Sequence, residues 1–509
     1  MYIDIHNHPT VKPFGHVCKY LLKKKIDIVP QNLNYDYLLA HHPEMLEKLP
    51  KPCRKSSLWH KDWPYFIFNR IFSELFFAKF TESNFSDALK GDTRILFVSL
   101  YPIEKEYMTR TCDEILFGVP ILKNFVTGIS TKRIKFIQSD KYRYFNDLSC
   151  EYEFLKTFQH YTTTKNQKYV IARDFEHLSE QITEDDKNKV SVVLTIEGSN
   201  TLYPTKNVDP LDINTVLNNI EEIKSWPHRV LWISLAHHFF NGFLSHEKSL
   251  IDQVIGLGNI DQTQGMNRPV SDIPDFTYYT ENGLKVIKAL LSTTNGRRIL
   301  PDLKHADFRA RKQYYSLIET EYNNKVPVVI SHAAVGGPSP ELPAYFNSWT
   351  INLNDDDIYA LCATQGITGI EFDQRLLGFK ELREYNKKHR IRFCRLSKKF
   401  SVDMIWNAIR YIAEKAAAYK VANPALPITE PWEIIAIGTD YDGVINPINK
   451  FPTLASMPKL KTLLQERIEA YMHGSQYDAN VKALTQSTPA QITDGIFFGN
   501  AYNFLKANF

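Results

Sequence analysis

The sequence of 509 residues predicts an α/β protein folded as one (β/α)8 barrel of the TIM type, with long insertions. Three observations carry that prediction. Eight short apolar runs recur along the chain, helical patterns lie between several of them, and most runs end in a residue type that binds metals or moves protons. The runs cover residues 2–8, 94–101, 191–197, 229–237, 298–305, 326–332, 367–373 and 434–440. Each has the length of a buried parallel strand. Most are rich in Val, Ile and Leu, as strands covered on both faces require. Residues 282–291 (NGLKVIKALL) and 403–418 repeat apolar positions at three- and four-residue steps, which builds one stripe along a helix. Strands alternating with helices imply parallel βα units, and eight such units suggest closure.

Three connections exceed a plain βα loop: residues 9–93, after the first run; 102–190, after the second; and 374–433, after the seventh. Loops that follow barrel strands shape the substrate pocket, so these insertions are expected on its walls. Residues 63–80 (WPYFIFNRIFSELFFAKF) are aromatic on more than one helical face. They are expected to pack on the barrel wall, with a homodimer interface or an active-site lid as the other readings. The chain reads as one domain, residues 1–509.

Composition narrows the class. Hydrophobic residues make up 43% and charged residues 23%, which excludes a disordered, collagen-like or coiled-coil chain. A net charge of +4, from 61 Lys+Arg against 57 Asp+Glu, gives no reason to expect nucleic acid as a partner. No run of about 18 apolar residues is present, so no membrane span is expected. The N-terminal residues show no signal peptide and the C-terminal residues no lipid-anchor tail, so the cytoplasm is the expected location. The six cysteines lack C-x-x-C spacing, which argues for reduced thiols rather than disulfides or a thiolate zinc site.

The chemistry lies in how the runs end. The first ends His6-Asn7-His8, whose two imidazoles share one side of a strand. The third ends in Glu197, the fourth in His237, the fifth in Lys304-His305 and the sixth in His332. The eighth ends in Asp440, followed by Tyr441-Asp442. A lone histidine at a strand end is usually structural. Several imidazoles and two carboxylates at the same end of one barrel converge on a small volume, and without a cation that cluster would strand buried polar groups. Imidazole with carboxylate and no thiolate suits zinc first, then iron, manganese or cobalt. Glu197 is the natural bridge. His6, His8 and Glu197 would hold one ion, and Glu197, His305 and His332 a second. Two ions roughly 3.5–4 Å apart would make a bridging hydroxide available at neutral pH.

These stretches, in this order, resemble the membrane (renal) dipeptidase family of the amidohydrolase superfamily. The matching segments are Asp4-Ile5-His6-Asn7-His8-Pro9, Ile196-Glu197-Gly198, Ile233-Ser234-Leu235-Ala236-His237 and Leu300-Pro301-Asp302-Leu303-Lys304-His305. Val328-Val329-Ile330-Ser331-His332, Ile437-Gly438-Thr439-Asp440-Tyr441-Asp442-Gly443 and the closing Phe498-Gly499-Asn500-Ala501-Tyr502-Asn503-Phe504 complete the set. The resemblance implies a binuclear zinc hydrolase that cleaves a peptide or amide bond in a small substrate. It implies that His237 polarises the scissile carbonyl and stabilises the oxyanion, and that Asp440 rather than Asp442 carries the proton to the leaving amine.

Two departures from the family pattern bear on the metal and on the substrate in turn. The family has His-x-Asp where this chain has His6-Asn7-His8. The family's carboxylate-binding arginine falls near Thr350 or Ile351, where no arginine stands. Arg375, just past the seventh run, is the replacement candidate through bidentate pairing. Lys304, one residue before His305, is expected to face outward and not to serve as a bridging lysine. The alternative enzyme reading keeps barrel and metals but changes the substrate to a lactone, a cyclic amide or another amide. A binding protein on an inactive barrel is the reading from a different class, and candidates for every catalytic role argue against it.

Overall fold

The computed structural model describes residues 1–15, 58–59, 81–109, 127–159, 162–163, 165–182, 187–203, 212–247, 249, 278–338, 350–377, 398–443, 445–448 and 450–509. Eight strands form the barrel. They are β1 (Tyr2–Asn7), β2 (Thr93–Leu100), β3 (Lys189–Ile196), β4 (Val230–Ser234), β5 (Leu300–Asp302), β6 (Val329–Ala333), β7 (Ile367–Ile370) and β8 (Ile435–Ile437). Each pairs in parallel with the next in that order. β1 meets the end of β8 through Asp440 N–H to the His6 carbonyl (2.9 Å) and His8 N–H to the Tyr441 carbonyl (2.8 Å). The buried Asp4 carboxylate adds to this seam by accepting from Thr439 N–H (2.9 Å) and Oγ1–H (2.6 Å). The (β/α)8 expectation therefore holds.

Helices cover the outside because their apolar stripes can be buried nowhere else. The predicted 282–291 helix is α4 (Glu281–Leu291), whose buried positions Gly283, Val286, Ile287, Leu290 and Leu291 trace one face. Thr280 caps it by accepting from Gly283 N–H. α6 (Asp355–Thr364) begins with a capping box made by Asn354 and Asp357. The predicted 403–418 helix is α7 (Lys398–Ala422), longer at both ends. α3 (Ile213–Ser225) and α5 (Phe308–Tyr322) follow β3 and β5.

The insertion at 102–190 holds α1 (Thr131–Gln138), α2 (Tyr144–Phe158) and a strand, Lys168–Ile171, that pairs in parallel with β3 off the barrel path. That ninth strand was not expected from the sequence. The aromatic 63–80 segment lies outside the described residues, as does most of the 9–93 insertion.

Four strands stop three residues before their apolar runs do. β4, β5, β7 and β8 end at Ser234, Asp302, Ile370 and Ile437, so His237, His305 and Asp440 stand on turns beyond β4, β5 and β8. His305 (φ 67°) and Asp440 (φ 58°) adopt left-handed backbone there. Such strain gathers where the surrounding structure dictates side-chain direction. The barrel is also narrow at this level. A Cβ on Gly438 or on Gly369 would sit 2.3 Å from the Ser331 carbonyl, so only glycine fits.

Candidate metal centre

Glu197 sits at the middle of the site. It follows β3 directly, and Gly198 behind it turns the chain at φ 84°. A Cβ on Gly198 would meet Asn200 Oδ1 at 2.3 Å. The Glu197 carboxylate is 3% exposed. Its Oε2 lies 3.0 Å from His8 Nε2, and its Oε1 lies 3.4 Å from His6 Nε2, 3.4 Å from His305 Nε2 and 3.8 Å from His332 Nε2. Asp440 closes the far side, with Oδ1 3.4 Å from His8 Nε2 and 3.7 Å from His6 Nε2, and Oδ2 3.9 Å from His332 Nε2. His237 Nε2 is 3.5 Å from Glu197 Oε2. All seven predicted metal and catalytic residues thus occupy one buried cluster.

The cluster asks for cations. Among the described residues, His6 Nδ1, both nitrogens of His305, His332 Nε2 and Glu197 Oε1 are buried without a hydrogen-bond partner. Groups of that kind cost free energy unless something compensates them. The two Nε2 atoms of His6 and His8 are 3.1 Å apart. That is close to the edge of a tetrahedron of nitrogens at zinc, roughly 3.3 Å for a Zn–N bond of about 2.05 Å. His6, His8 and Asp440 form one group of adjacent ligand atoms, and His6, Glu197 and His332 another.

Electrostatics point the same way. Burial pulls the His8 imidazole down, yet the charges of Glu197 and Asp440 lift it to about 10, so a proton settles where positive charge is wanted. Burial works against the Glu197 charge, but the surrounding imidazoles hold its pKa well below the usual carboxylate range. Burial keeps His305 and His332 well below the ordinary histidine value, so their lone pairs are available at neutral pH. His8 Nδ1 lies 3.0 Å from the Ser99 carbonyl and His332 Nδ1 lies 2.9 Å from Ser331 Oγ. Those contacts orient the rings, as outer partners of metal-ligating histidines do.

The other expectations fall out unevenly. Arg375 lies in a short helix after β7 (Gln374–Leu377), where Asp373 engages it through Nε (2.9 Å to each oxygen) and through Nη2. Lys304 does not face outward. β5 ends at Asp302, so strand alternation no longer applies two residues later. The Lys304 ammonium is buried and bonds Glu371 Oε2 at 2.7 Å. Asp442 also has left-handed backbone (φ 67°), but it accepts from Lys12 Nζ (2.5 Å), Ser83 Oγ (2.7 Å) and two backbone amides, and is structural. At Thr350, where the family's arginine would fall, the backbone carbonyl accepts from the Arg311 guanidinium (3.0 Å), which also pairs with Asp357 (3.2 Å).

Three residues escaped the sequence reading. Glu104 lies beyond β2 and bonds His237 Nδ1 at 2.7 Å. Glu371 lies just beyond β7 and neutralises Lys304. His238 brings a ring nitrogen near those of His237 and His305. The second and seventh runs were the two without an assigned functional end. Acids a few residues past β2 and β7 supply the missing members.

No protein-family model matches the chain, and no curated protein matches it. Among solved structures, the chain is similar to a metallo peptidase from Rhodobacter sphaeroides liganded with a phosphinate mimic of the dipeptide L-Ala-D-Ala. The identity is 12% over 100% of this chain and 99% of that one, with a TM-score of 0.49. It is also similar to the dipeptidase AC, a metallo peptidase, at 12% identity over 87% and 94% of the two chains (TM-score 0.48). The probable dipeptidase PvdM from Pseudomonas aeruginosa aligns at 11% identity over 84% and 88% (TM-score 0.45).

Proposed function

We propose that this chain is a binuclear, zinc-dependent hydrolase of the dipeptidase type that cleaves a peptide or amide bond in a small substrate. One observation carries the reading: both oxygens of the buried Glu197 face imidazoles, from β1 and from the turns and strands after β4, at 3.0–3.8 Å. His6, His8 and Glu197 would hold one ion, and Glu197, His305 and His332 the other. When bound, such a pair polarises the substrate carbonyl and makes water a nucleophile at neutral pH.

The chain's own residues do the rest. Asp440 accepts the proton of the attacking water and passes it to the leaving amine as the C–N bond breaks. Burial raises its carboxyl to about 7, a value suited to both giving and taking a proton near neutrality. His237 donates to the oxygen that gains charge. Arg375 would bind a carboxylate at the substrate's end. The alternative, a lactone, cyclic amide or other amide, is favoured by one observation: Asp373 already matches the Arg375 charge, which weakens any demand for an acidic-ended substrate.

The deciding experiment supplies purified, zinc-loaded protein with L-Ala-L-Ala, L-Ala-D-Ala, N-acyl amino acids and lactones. Dipeptide turnover supports the reading, and turnover of lactones alone favours the alternative. Arg375→Ala should raise KM about tenfold for substrates with a free carboxylate and leave amidated ones unchanged. An equal effect on both removes Arg375 from recognition.

A further inference from the structure

We propose that Glu104 is a positioning residue for His237, holding the imidazole so that a proton-bearing Nε2 faces the reaction centre. The inference rests on the oxyanion role given to His237 above. Glu104 is 2% exposed, and both of its oxygens are committed to the segment that follows β4. Oε1 accepts from Phe239 N–H at 3.1 Å, and Oε2 lies 2.7 Å from His237 Nδ1. The backbone amide fixes the carboxyl, and the carboxyl fixes the ring. Tyr101 packs edge-on against the same imidazole, with centroids 4.8 Å apart. The remaining nitrogen, Nε2, is left facing Glu197 Oε2 at 3.5 Å.

The choice of a carboxyl group matters chemically. To stabilise an oxyanion, the ring must donate from Nε2. A neutral imidazole has one proton, and a carbonyl at Nδ1 would draw that proton to the wrong nitrogen. Nε2 would then present a lone pair. A carboxyl avoids this in two ways. Ionised, it accepts from an imidazolium. Protonated, it donates to Nδ1. In both arrangements the pair carries two protons, one shared along the 2.7 Å contact and one on Nε2.

The test compares Glu104→Ala, Glu104→Gln, His237→Ala and Glu104→Ala/His237→Ala, with L-Ala-L-Ala as the probe substrate and metal content measured for each. Glu104→Ala should lower kcat about 10²-fold, the scale of losing one oxyanion donor. KM should stay within about twofold, and the metal content unchanged. Gln can donate to Nδ1 and still accept from Phe239 N–H, so Glu104→Gln should recover kcat to within about tenfold of the parent. Residues that act as one unit are not additive, so the double variant should be no slower than His237→Ala. Multiplied losses, or a Gln variant no better than the Ala variant, overturn the inference.

A second measurement does not depend on turnover. Proton NMR of ¹⁵N-histidine-labelled protein should show a far-downfield imidazole N–H that is absent from both Glu104→Ala and His237→Ala. Its absence from the parent protein overturns the inference. Full activity of His237→Ala, with the NMR signal present in the parent protein, would instead sink the role given to His237 and leave the contact standing.

Discussion

Asp440 holds its side chain toward His8 and His6 from a left-handed backbone position, φ 58°. Most residues resist that conformation, but Asp and Asn tolerate it. Asp440→Asn therefore keeps the turn, the side-chain volume and one oxygen, and removes the proton acceptor alone. We expect it to retain the metal content of the parent, because His6, His8, Glu197, His305 and His332 remain. We expect kcat to fall at least about 10²-fold, the low end of what a positioned general base contributes. Metal analysis beside steady-state rates checks both halves. Undiminished turnover would mean that some other group moves the proton.

At the scale of elements, α2 is fastened to the top of the barrel by a buried acid. Glu151 Oε1 accepts from Thr10 Oγ1 at 2.5 Å and Oε2 from Tyr101 N–H at 2.9 Å, tying α2 to the residues after β1 and β2. Burial raises its pKa from about 4.5 to about 7. The folded state therefore keeps a proton that the unfolded chain releases. The stabilising effect of that proton is complete below about pH 4.5 and is lost as pH rises to about 7. Glu151→Gln keeps both contacts, with its carbonyl toward Tyr101 N–H and its amide toward Thr10 Oγ1, and has nothing to titrate. The variant should gain on the parent by roughly 2–3 kcal/mol between pH 4.5 and pH 8, at about 1.4 kcal/mol per pKa unit. Denaturant midpoints at the two pH values read this directly, and a gap that does not change with pH refutes it. The sequence could not reveal this tie. The barrel strands are legible because runs such as VVLTI announce burial on both faces. Their ends are not, because His237, His305 and Asp440 sit on turns whose backbone is set by neighbouring strands. The strand Lys168–Ile171 shows four residues and no period. The pairs Lys304–Glu371 and Glu104–His237 join residues far apart in sequence, which no local pattern encodes.

For the whole molecule, the consequence lies in where the ligands come from. The proposed ligands run from His6 in β1 to His332 in β6, with His8, Glu197 and His305 between, so the folded barrel assembles them. Any ion that binds this centre binds the folded state and scarcely the unfolded one. Linkage then requires stabilisation of about 4 kcal/mol per ion at a thousand times its dissociation constant. Chelation must return the site to uncompensated imidazoles and one crowded carboxylate. Stripped protein should therefore melt several degrees below zinc-loaded protein at neutral pH and lose turnover, and added zinc should restore both. His332→Ala, which removes a ligand of the second ion only, should narrow the difference between stripped and loaded melting temperatures without abolishing it. Melting curves that coincide with and without chelator would show that the convergence of these imidazoles serves packing rather than metal.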